Sequence, residues 1–308
     1  MIKVSVFLPA YKTEFLAEAI QSILNQTFRD FELLIVNDSS PNNVRELVES
    51  FNDSRIIYEE NAENRGKNDL VGFWNEKIKQ CRGEFLVIAS DDDFYAPTYL
   101  QEMLLLADKY PETDLFHCRI AYIDSDNKII QIAQPALEFE TQMDFIYQRL
   151  VWKRKQTLQE FMFRTSLLLV KGGVVWFPMA WASDSATTYL MAEHGVAYNS
   201  DILFFLRMSG LNISSSSEKV EYKIEAMKQS IQWFQDFLPQ VKCKTIVDEF
   251  MKKEAIRIYE SQKYASYPGY LLKLGWRNYL KELKYISKNK VFSFRLLILI
   301  TLKKCLRL

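Results

Sequence analysis

The chain has 308 residues, 48% of them apolar and 25% charged, enough to bury a full core as one large domain or as a domain with an appendage. Its 39 basic and 39 acidic residues cancel, which argues against a nucleic-acid partner. The cancellation is uneven, because residues 263–308 hold eleven Lys or Arg and a single acid, Glu282.

Four cysteines, Cys81, Cys118, Cys243 and Cys305, lie far apart without metal-ligand spacing and read as reduced packing residues of a cytosolic protein. The sequence starts directly on a strand-like stretch, which leaves no room for a signal peptide. Its longest apolar run, residues 296–302, is too short to span a bilayer. The expectation is a cytoplasmic protein with, at most, peripheral contact at the inner face of a membrane.

In chain order, residues 4–8 form a continuous apolar run, the pattern of a strand covered on both faces, and Pro9-Ala10-Tyr11 ends it. Phe15, Leu16, Ala19, Ile20, Ile23 and Leu24 then recur with helical spacing. A second buried strand over 31–36 stops at the turn residues Asn37-Asp38-Ser39-Ser40-Pro41. A short helix turning Val44, Leu47, Val48 and Phe51 inward follows. A third strand over 55–58 leads into a polar loop, Asn64-Arg65-Gly66-Lys67-Asn68, and a helix marked by Leu70, Phe73, Trp74, Ile78 and Cys81. The fourth apolar run, residues 85–89, goes straight into Ser90-Asp91-Asp92-Asp93, and Pro97 suits the first turn of the next helix. Strands alternating with helices at this spacing predict an α/β fold, a Rossmann-like doubly wound and mostly parallel sheet, with residues 1–110 as a nucleotide-binding-type half.

Beyond Pro111 the pattern changes. Residues 115–123 and 128–133 around Ser125-Asp126-Asn127 predict a β-hairpin. Residues 141–180 mix short helices and strands with a break at Gly172-Gly173. A helix follows Ser183-Asp184 as far as Gly195, and residues 197–207 read as two short strands joined at Asn199-Ser200-Asp201. Residues 214–217 are a polar linker, and from 219 onward helical segments rich in Lys and aromatics take over.

Four loops fall at the carboxyl ends of successive strands, at Pro9-Ala10-Tyr11, Asn37-Asp38-Ser39, residues 64–68 and residues 90–93, and a parallel sheet brings them to one edge. That edge offers a ring for a base, a carboxylate for a ribose, cations for phosphates, and adjacent carboxylates whose hard oxygens suit Mg2+ or Mn2+. Such a set is what an activated nucleotide needs, since a diphosphate leaving group must have its developing charge neutralised. Each residue also has a plainer role. Asp38 can form an Asx-turn, Tyr11 can pack at the sheet edge, Arg65 and Lys67 can belong to a solvated loop, and Arg207 can be a surface pair instead of a diphosphate contact. The two histidines give a zinc site or a histidine nucleophile little to work with. His117 reads as a core residue, and His194 as a favourable charge at a helix C-terminus.

Val4-Ser5-Val6 through Pro9-x-Tyr11, Ser22-Ile23-x-x-Gln26-Thr27, Glu32-x-x-Ile35-Val36-Asn37-Asp38-x-Ser40, and Gly83-Glu84-Phe85 through Asp92-Asp93-x-x-x-Pro97 together resemble the family 2 glycosyltransferases. The resemblance covers roughly the first 120 residues and continues more weakly through Gly172-Gly173, Ser183-Asp184 and Arg207-x-Ser209-Gly210-x-Asn212-Ile213-Ser214. It implies a GT-A fold over residues 1–218, with 1–110 the nucleotide half and 111–218 the acceptor half, and it gives no help with the helical, basic extension over 219–308. It further implies an inverting transfer of a sugar from a nucleotide-diphosphate donor to a hydroxyl of a glycan or lipid-linked acceptor, with Mn2+ or Mg2+ as cofactor. By position, Pro9, Ala10, Tyr11 and Asp38 would hold base and ribose. Asp91 would lie near the ribose, Asp92 would be the main metal ligand with Asp93 beside it, and Asp184 would be the general base unless it only caps its helix. The sequence departs from the family pattern at Asn37, where Asp is usual, at Lys12, where Asn is usual, and at Ser90, where the first Asp of the metal motif is usual.

Two other functions compete. A sugar-phosphate nucleotidyltransferase would need a glycine-rich basic loop after the first strand, and residues 9–13 contain no glycine. A non-catalytic nucleotide-sugar binding protein would tolerate loss of Asp92 or Asp184, and both are present. The tail over 288–308, with its apolar run flanked by Lys288, Lys290, Arg295, Lys303, Lys304 and Arg307, either lies on an anionic membrane or packs on the domain with a solvated basic face.

Overall fold

The computed structural model describes residues 2–208, 220–289 and 291–306. The linker at 214–217, the boundary at 218, the motif over 209–214, Lys290 and Arg307 lie outside the described residues.

Strand β1 (Val4–Ala10), helix α1 (Leu16–Leu24), β2 (Phe31–Asn37), α2 (Val44–Glu49), β3 (Ile56–Glu60), α3 (Gly66–Ile78) and β4 (Phe85–Ile88) make up the first half. β5 (Phe94–Tyr95) and α4 (Tyr99–Lys109) follow the acidic turn. The hairpin is β6 (Leu115–Ile123) with β7 (Ile129–Ile132), antiparallel as expected. Then come β8 (Phe139–Glu140), α5 (Gln142–Leu150), β9 (Phe161–Arg164), α6 (Thr165–Val170), α7 (Ser183–Met191) and β10 (Val196–Arg207). Five helices complete the chain: α8 (Val220–Phe237), α9 (Ile246–Gln262), α10 (Tyr267–Lys273), α11 (Trp276–Lys288) and α12 (Phe294–Leu306).

One sheet runs β3-β2-β1-β4-β9-β6-β10-β5, with β7 beside β6 and β8 beside β10. The first four strands are parallel to one another. β9 enters antiparallel between β4 and β6, so β6 and β10 again share the direction of the first four. The alternation of side chains along each strand sorts the core into two layers. Val4, Val6 and Leu8 of β1 pack with Ile20, Ile23 and Met103 on one face, while Phe7 packs with Val71, Phe73 and Phe163 on the other. Burial on both faces is why these strands read as continuous apolar runs.

Helix α3 begins inside the stretch expected to be loop, with Asn64 Oδ1 accepting the Lys67 N–H at 2.8 Å. Its first turn is broken at Asp69 (φ −147°, ψ 76°), whose Oδ1 accepts the Gly72 N–H at 2.9 Å and restarts the helix as a cap. β10 is one strand where two were expected. Its register against β6 slips around Asn199 and Ile202, so the polar Asn199-Ser200-Asp201 is accommodated as a bulge.

The helices after 219 serve two cores. Phe234 of α8 and Ala255 of α9 join the layer built on Phe145, Tyr189 and Phe163, and the other face of α8 packs Ile224, Met227 and Ile231 against Tyr267, Leu271, Tyr279, Ile286 and Ile300. Among the described residues no helix is long and apolar enough to cross a membrane.

Candidate active site

The site begins with a missing hydrogen bond. Pairing of β1 with β4 ends where Phe7 O accepts the Ala89 N–H at 2.7 Å. Two residues on, the position facing β4 is Pro9, which has no N–H to give. On the opposite side the ladder persists, since Ala10 O accepts the Asp38 N–H at 2.9 Å. The chain after β4 therefore leaves the sheet, and the gap is filled by Asp91, whose Oδ2 accepts the N–H groups of Tyr11 at 2.9 Å and Lys12 at 2.7 Å. Burial raises the Asp91 carboxyl above the usual carboxylate range, against the lowering effect of those two N–H groups. The Tyr11 ring stands free at the edge, 43% exposed, while its carbonyl accepts the Ser40 hydroxyl at 2.6 Å.

The three carboxylates do not converge. Asp92 Oδ2 lies 3.0 Å from Lys12 Nζ. Asp93, expected beside Asp92 at a metal, is turned inward: Oδ1 accepts the Arg207 N–H at 2.8 Å and Oδ2 accepts the Ser90 hydroxyl. Burial first, and the charge of Asp92 second, push Asp93 up to about 7. Both oxygens of Asp93 are thus committed to the fold, and Ser90, in the place of the motif's usual Asp, is one of the donors that hold it. Among the described residues no cluster of three His, Cys, Asp or Glu is placed to hold a cation unaided. Asp92 still suits Mg2+ or Mn2+, which take one or two protein carboxylates and complete their shell with substrate phosphates.

Arg207 is not a surface pair. It is 1% exposed, with Nε donating to Asp92 O at 2.8 Å, Nη1 to Asn127 Oδ1 at 2.6 Å and Nη2 to Glu18 Oε2 at 2.5 Å. Its guanidinium also lies over the Phe15 ring, 3.9 Å from the centroid. One side chain therefore ties the acidic turn to β10, the β6–β7 hairpin and α1.

Asp38 is 5% exposed and accepts from Asn61 Nδ2 at 2.7 Å, the Arg65 N–H at 2.9 Å and the Gly66 N–H at 2.7 Å. The side-chain turn that ends β2 belongs to its neighbour, because Asn37 Oδ1 accepts the Ser40 N–H, three residues on, at 2.9 Å. A Cβ at Gly66 would fall 2.9 Å from Asp38 Oδ2, so glycine is what lets the helix terminus close on this carboxylate. The Arg65 guanidinium pairs on the surface with Glu76 at 2.7 Å, and Lys67 is exposed in the first turn of α3.

Asp184 is the second residue of α7, and the cap position is Ala182, so the helix-cap role does not fall to Asp184. Its carboxylate makes no hydrogen bond or ion pair among the described residues. The approach to it is strained, with Met179, Ala180 and Ala182 all at positive φ (59°, 55° and 63°). Residues 156–160 connect this region to the acidic turn. Tyr95, two residues after Asp93, donates its hydroxyl to Gln159 O at 2.9 Å, and Gln156 Nε2 donates to Thr188 Oγ1 at 2.7 Å. Thr188 in turn donates to Asp184 O at 2.9 Å.

His117 is buried against Phe161, its ring nitrogen 3.1 Å from Glu160, and desolvation holds it well below its usual range, as befits a neutral core residue. His194 Nδ1 is 2.7 Å from Asp114. Sequence reasoning noted Lys12 only as a departure and missed the depth of Arg207.

The model for glycosyl transferase family 2 matches residues 5–169, more than half of the chain. An uncharacterized glycosyltransferase of Methanocaldococcus jannaschii is 30% identical over 138 residues, 43% of this chain and 46% of the relative. A UDP-Glc:alpha-D-GlcNAc-diphosphoundecaprenol beta-1,3-glucosyltransferase of Escherichia coli, WfgD, is 33% identical over 99 residues, 32% of this chain and 38% of the relative. These matches span less than half the length of the curated relatives. Among solved structures, S. aureus TarS (residues 1–349) in complex with UDP-GlcNAc superposes with a TM-score of 0.67 at 20% identity, over 89% of this chain and 77% of that one. The mannosyltransferase PcManGT of Pyrobaculum calidifontis, in complex with GDP-Man and Mn2+, gives 0.55 at 19% identity, over 98% and 87%. The structural likenesses establish a shared GT-A fold, and the family match over β1 to α6 settles the affiliation: this chain belongs to glycosyl transferase family 2.

Proposed function

We propose that this protein is an inverting, divalent-metal-dependent transferase that moves one sugar from a nucleotide-diphosphate donor to a hydroxyl of a glycan or lipid-linked acceptor. The observation that carries the reading is the edge itself, where an exposed aromatic ring, an N–H-saturated Asp38 and a turn presenting Asp92 stand together at the ends of β1, β2 and β4. Pro9, Ala10, Tyr11 and Asp38 hold base and ribose, and Asp91 fixes the turn beside the ribose. Asp92 takes the cation, which when bound neutralises charge on the departing diphosphate. Asp184, whose carboxylate is not engaged among the described residues, accepts the proton of the attacking hydroxyl. The relatives support the substrate classes: WfgD is named for a diphosphoundecaprenol-linked acceptor, and the TarS and PcManGT complexes hold UDP-GlcNAc and GDP-Man. The test is a thermal-shift panel of nucleotide-diphosphate sugars with and without Mn2+, because a ligand of the folded state raises its stability by mass action. One nucleotide series should raise the melting temperature more with Mn2+ than without. No response to any of them would overturn the reading.

A second observation supports peripheral membrane contact. Helix α12 packs through Leu297 and Ile300, and Lys304 Nζ donates to Leu274 O at 2.5 Å, yet Phe294, Leu299, Leu302 and Leu306 are 79%, 50%, 51% and 65% exposed beside Arg295 and Lys303. An apolar stripe flanked by cations suits an anionic interface. Because deletion of 288–308 would uncover Tyr279 and Ile286, the cleaner probe is Phe294→Glu with Leu299→Glu. Retention of these variants on anionic vesicles at the wild-type level would rule the contact out.

A further inference from the structure

Lys12 is bound into the acidic turn twice. Its N–H is fixed on Asp91 Oδ2 at 2.7 Å, which sets the start of the side chain, and its ammonium reaches Asp92 Oδ2 at 3.0 Å. The ion pair is sheltered, with Asp92 only 11% exposed and Lys12 30%. No other cation contacts Asp92 among the described ion pairs, and Asp93 is spent on Arg207 and Ser90. A divalent ion approaching Asp92 in the unliganded protein therefore meets a carboxylate already neutralised by a fixed positive charge. Like charges sharing one oxygen exclude each other. A lysine ammonium, however, is a point charge on a flexible stem with three donors, and it can transfer to another anion without moving its backbone. A nucleotide diphosphate arriving at the edge is such an anion.

We propose that Lys12 makes cation capture conditional on the donor: in the free protein its ammonium occupies Asp92, and a bound diphosphate draws it away and leaves the carboxylate to the metal. The inference rests on the reading of Asp92 as the metal ligand given above. Its thermodynamic form is a coupling between nucleotide and metal, which by linkage must be reciprocal and typically amounts to roughly 5- to 150-fold. Lys12 then serves one ligand at a time, a carboxylate before the donor binds and a phosphate oxygen afterwards.

The experiment counts free Mn2+ by electron paramagnetic resonance in titrations of wild type, Lys12→Met, Lys12→Asn and Asp92→Asn, each alone and with saturating UDP or GDP. Metal held by the nucleotide without protein is subtracted. Wild type alone should bind Mn2+ about tenfold or more weakly than with the matching nucleotide. Both Lys12 variants should bind Mn2+ alone about tenfold more tightly than wild type, with the nucleotide's enhancement reduced in the same proportion. Equal Mn2+ affinity of wild type and both Lys12 variants without nucleotide, alongside nucleotide-dependent binding that Asp92→Asn abolishes, would overturn the role of Lys12 while leaving the metal site standing. If no variant binds Mn2+ under any condition, or Asp92→Asn binds like wild type, the metal reading fails and this inference with it.

Discussion

At the sheet edge proposed to take the donor, Asp38 accepts three protein donors, Asp91 two and Asp93 two, and Asp92 is held by a lysine; at the start of α7, on the side proposed for the acceptor, Asp184 accepts none among the described residues. The backbone differs in the same direction. The donor carboxylates follow regular parallel strands, whereas Asp184 follows three non-glycine residues in the left-handed region within four positions. A carboxylate saturated with N–H groups is a fixed piece of scaffold that orders its loops before any ligand arrives. An unengaged carboxylate on a strained approach is, under the proposed function, one kept available for a proton. The difference teaches that residues of one type on one site differ in how far the protein's own donors satisfy them, and under the proposed function the two with the fewest such donors, Asp92 and Asp184, are the ones that meet the cation and the proton.

The largest expected effect would come from removing the carboxylate proposed as the general base. Asp184→Asn should lower turnover by roughly 10² to 10⁴ with donor affinity nearly unchanged. Since Ala182 holds the cap position, the melting temperature should stay near that of wild type. Turnover close to wild type in a full kinetic comparison would break the contrast at its main point, and a stability loss without a catalytic one would return Asp184 to the scaffold.

Arg207→Met tests the opposite pole. Its guanidinium donates to Asp92 O, Asp124 O, Asn127 and Glu18 from a fully buried position, and removing it strands those acceptors. Breaking a buried charged network of this kind costs about 3–5 kcal/mol. The denaturant midpoint should fall accordingly, and nucleotide binding should weaken because the turn carrying Asp92 loses its anchor. A cost below about 1 kcal/mol, the range of an exposed ion pair, would show that the donor edge is less tightly built than its hydrogen bonds suggest.

Much of the sheet edge was legible before any coordinates. The continuous apolar runs of β1, β2 and β4 announced strands covered on both faces, and the polar residues at their ends followed from strand direction alone. The loops at 9–11, 37–39 and 90–93 do meet at that edge. What sequence could not supply was the far partner of each side chain. Arg207 is buried because Glu18 lies 189 residues away in sequence and Asn127 lies 80 away, and no local pattern encodes that pairing. The polar Asn199-Ser200-Asp201 carries turn chemistry, but pairing with β6 on either side of it turns a break into a bulge. Lys12 stood out only as an unusual residue after Tyr11, and its bond to Asp92 needed the turn's geometry. Asp93 was expected at the metal beside Asp92, and what draws it away is the Arg207 N–H of β10, which takes one of its oxygens.

The smallest effect asks whether the strain on the acceptor side is real. Ala182 sits at φ 63° and ψ 9°, where a left-handed L-residue costs roughly 1–2 kcal/mol. Glycine adopts this conformation freely but gives the unfolded chain more entropy, worth about 0.4–1 kcal/mol. The two terms oppose, so Ala182→Gly should stabilise the fold by at most about 1.5 kcal/mol, a rise of roughly 2–3 °C at most for a chain of this size. The same substitution in an ordinary helix should have the other sign. Ala107, buried within α4 on the donor side, has helical neighbours and no strain to relieve, so Ala107→Gly should destabilise by about 1 kcal/mol from backbone propensity alone. Measured side by side, a rise for Ala182→Gly and a fall for Ala107→Gly would locate stored strain next to Asp184. A fall of equal size in both would mean that the approach to Asp184 is as relaxed as the donor edge, and that the contrast between the two regions rests on hydrogen bonds alone.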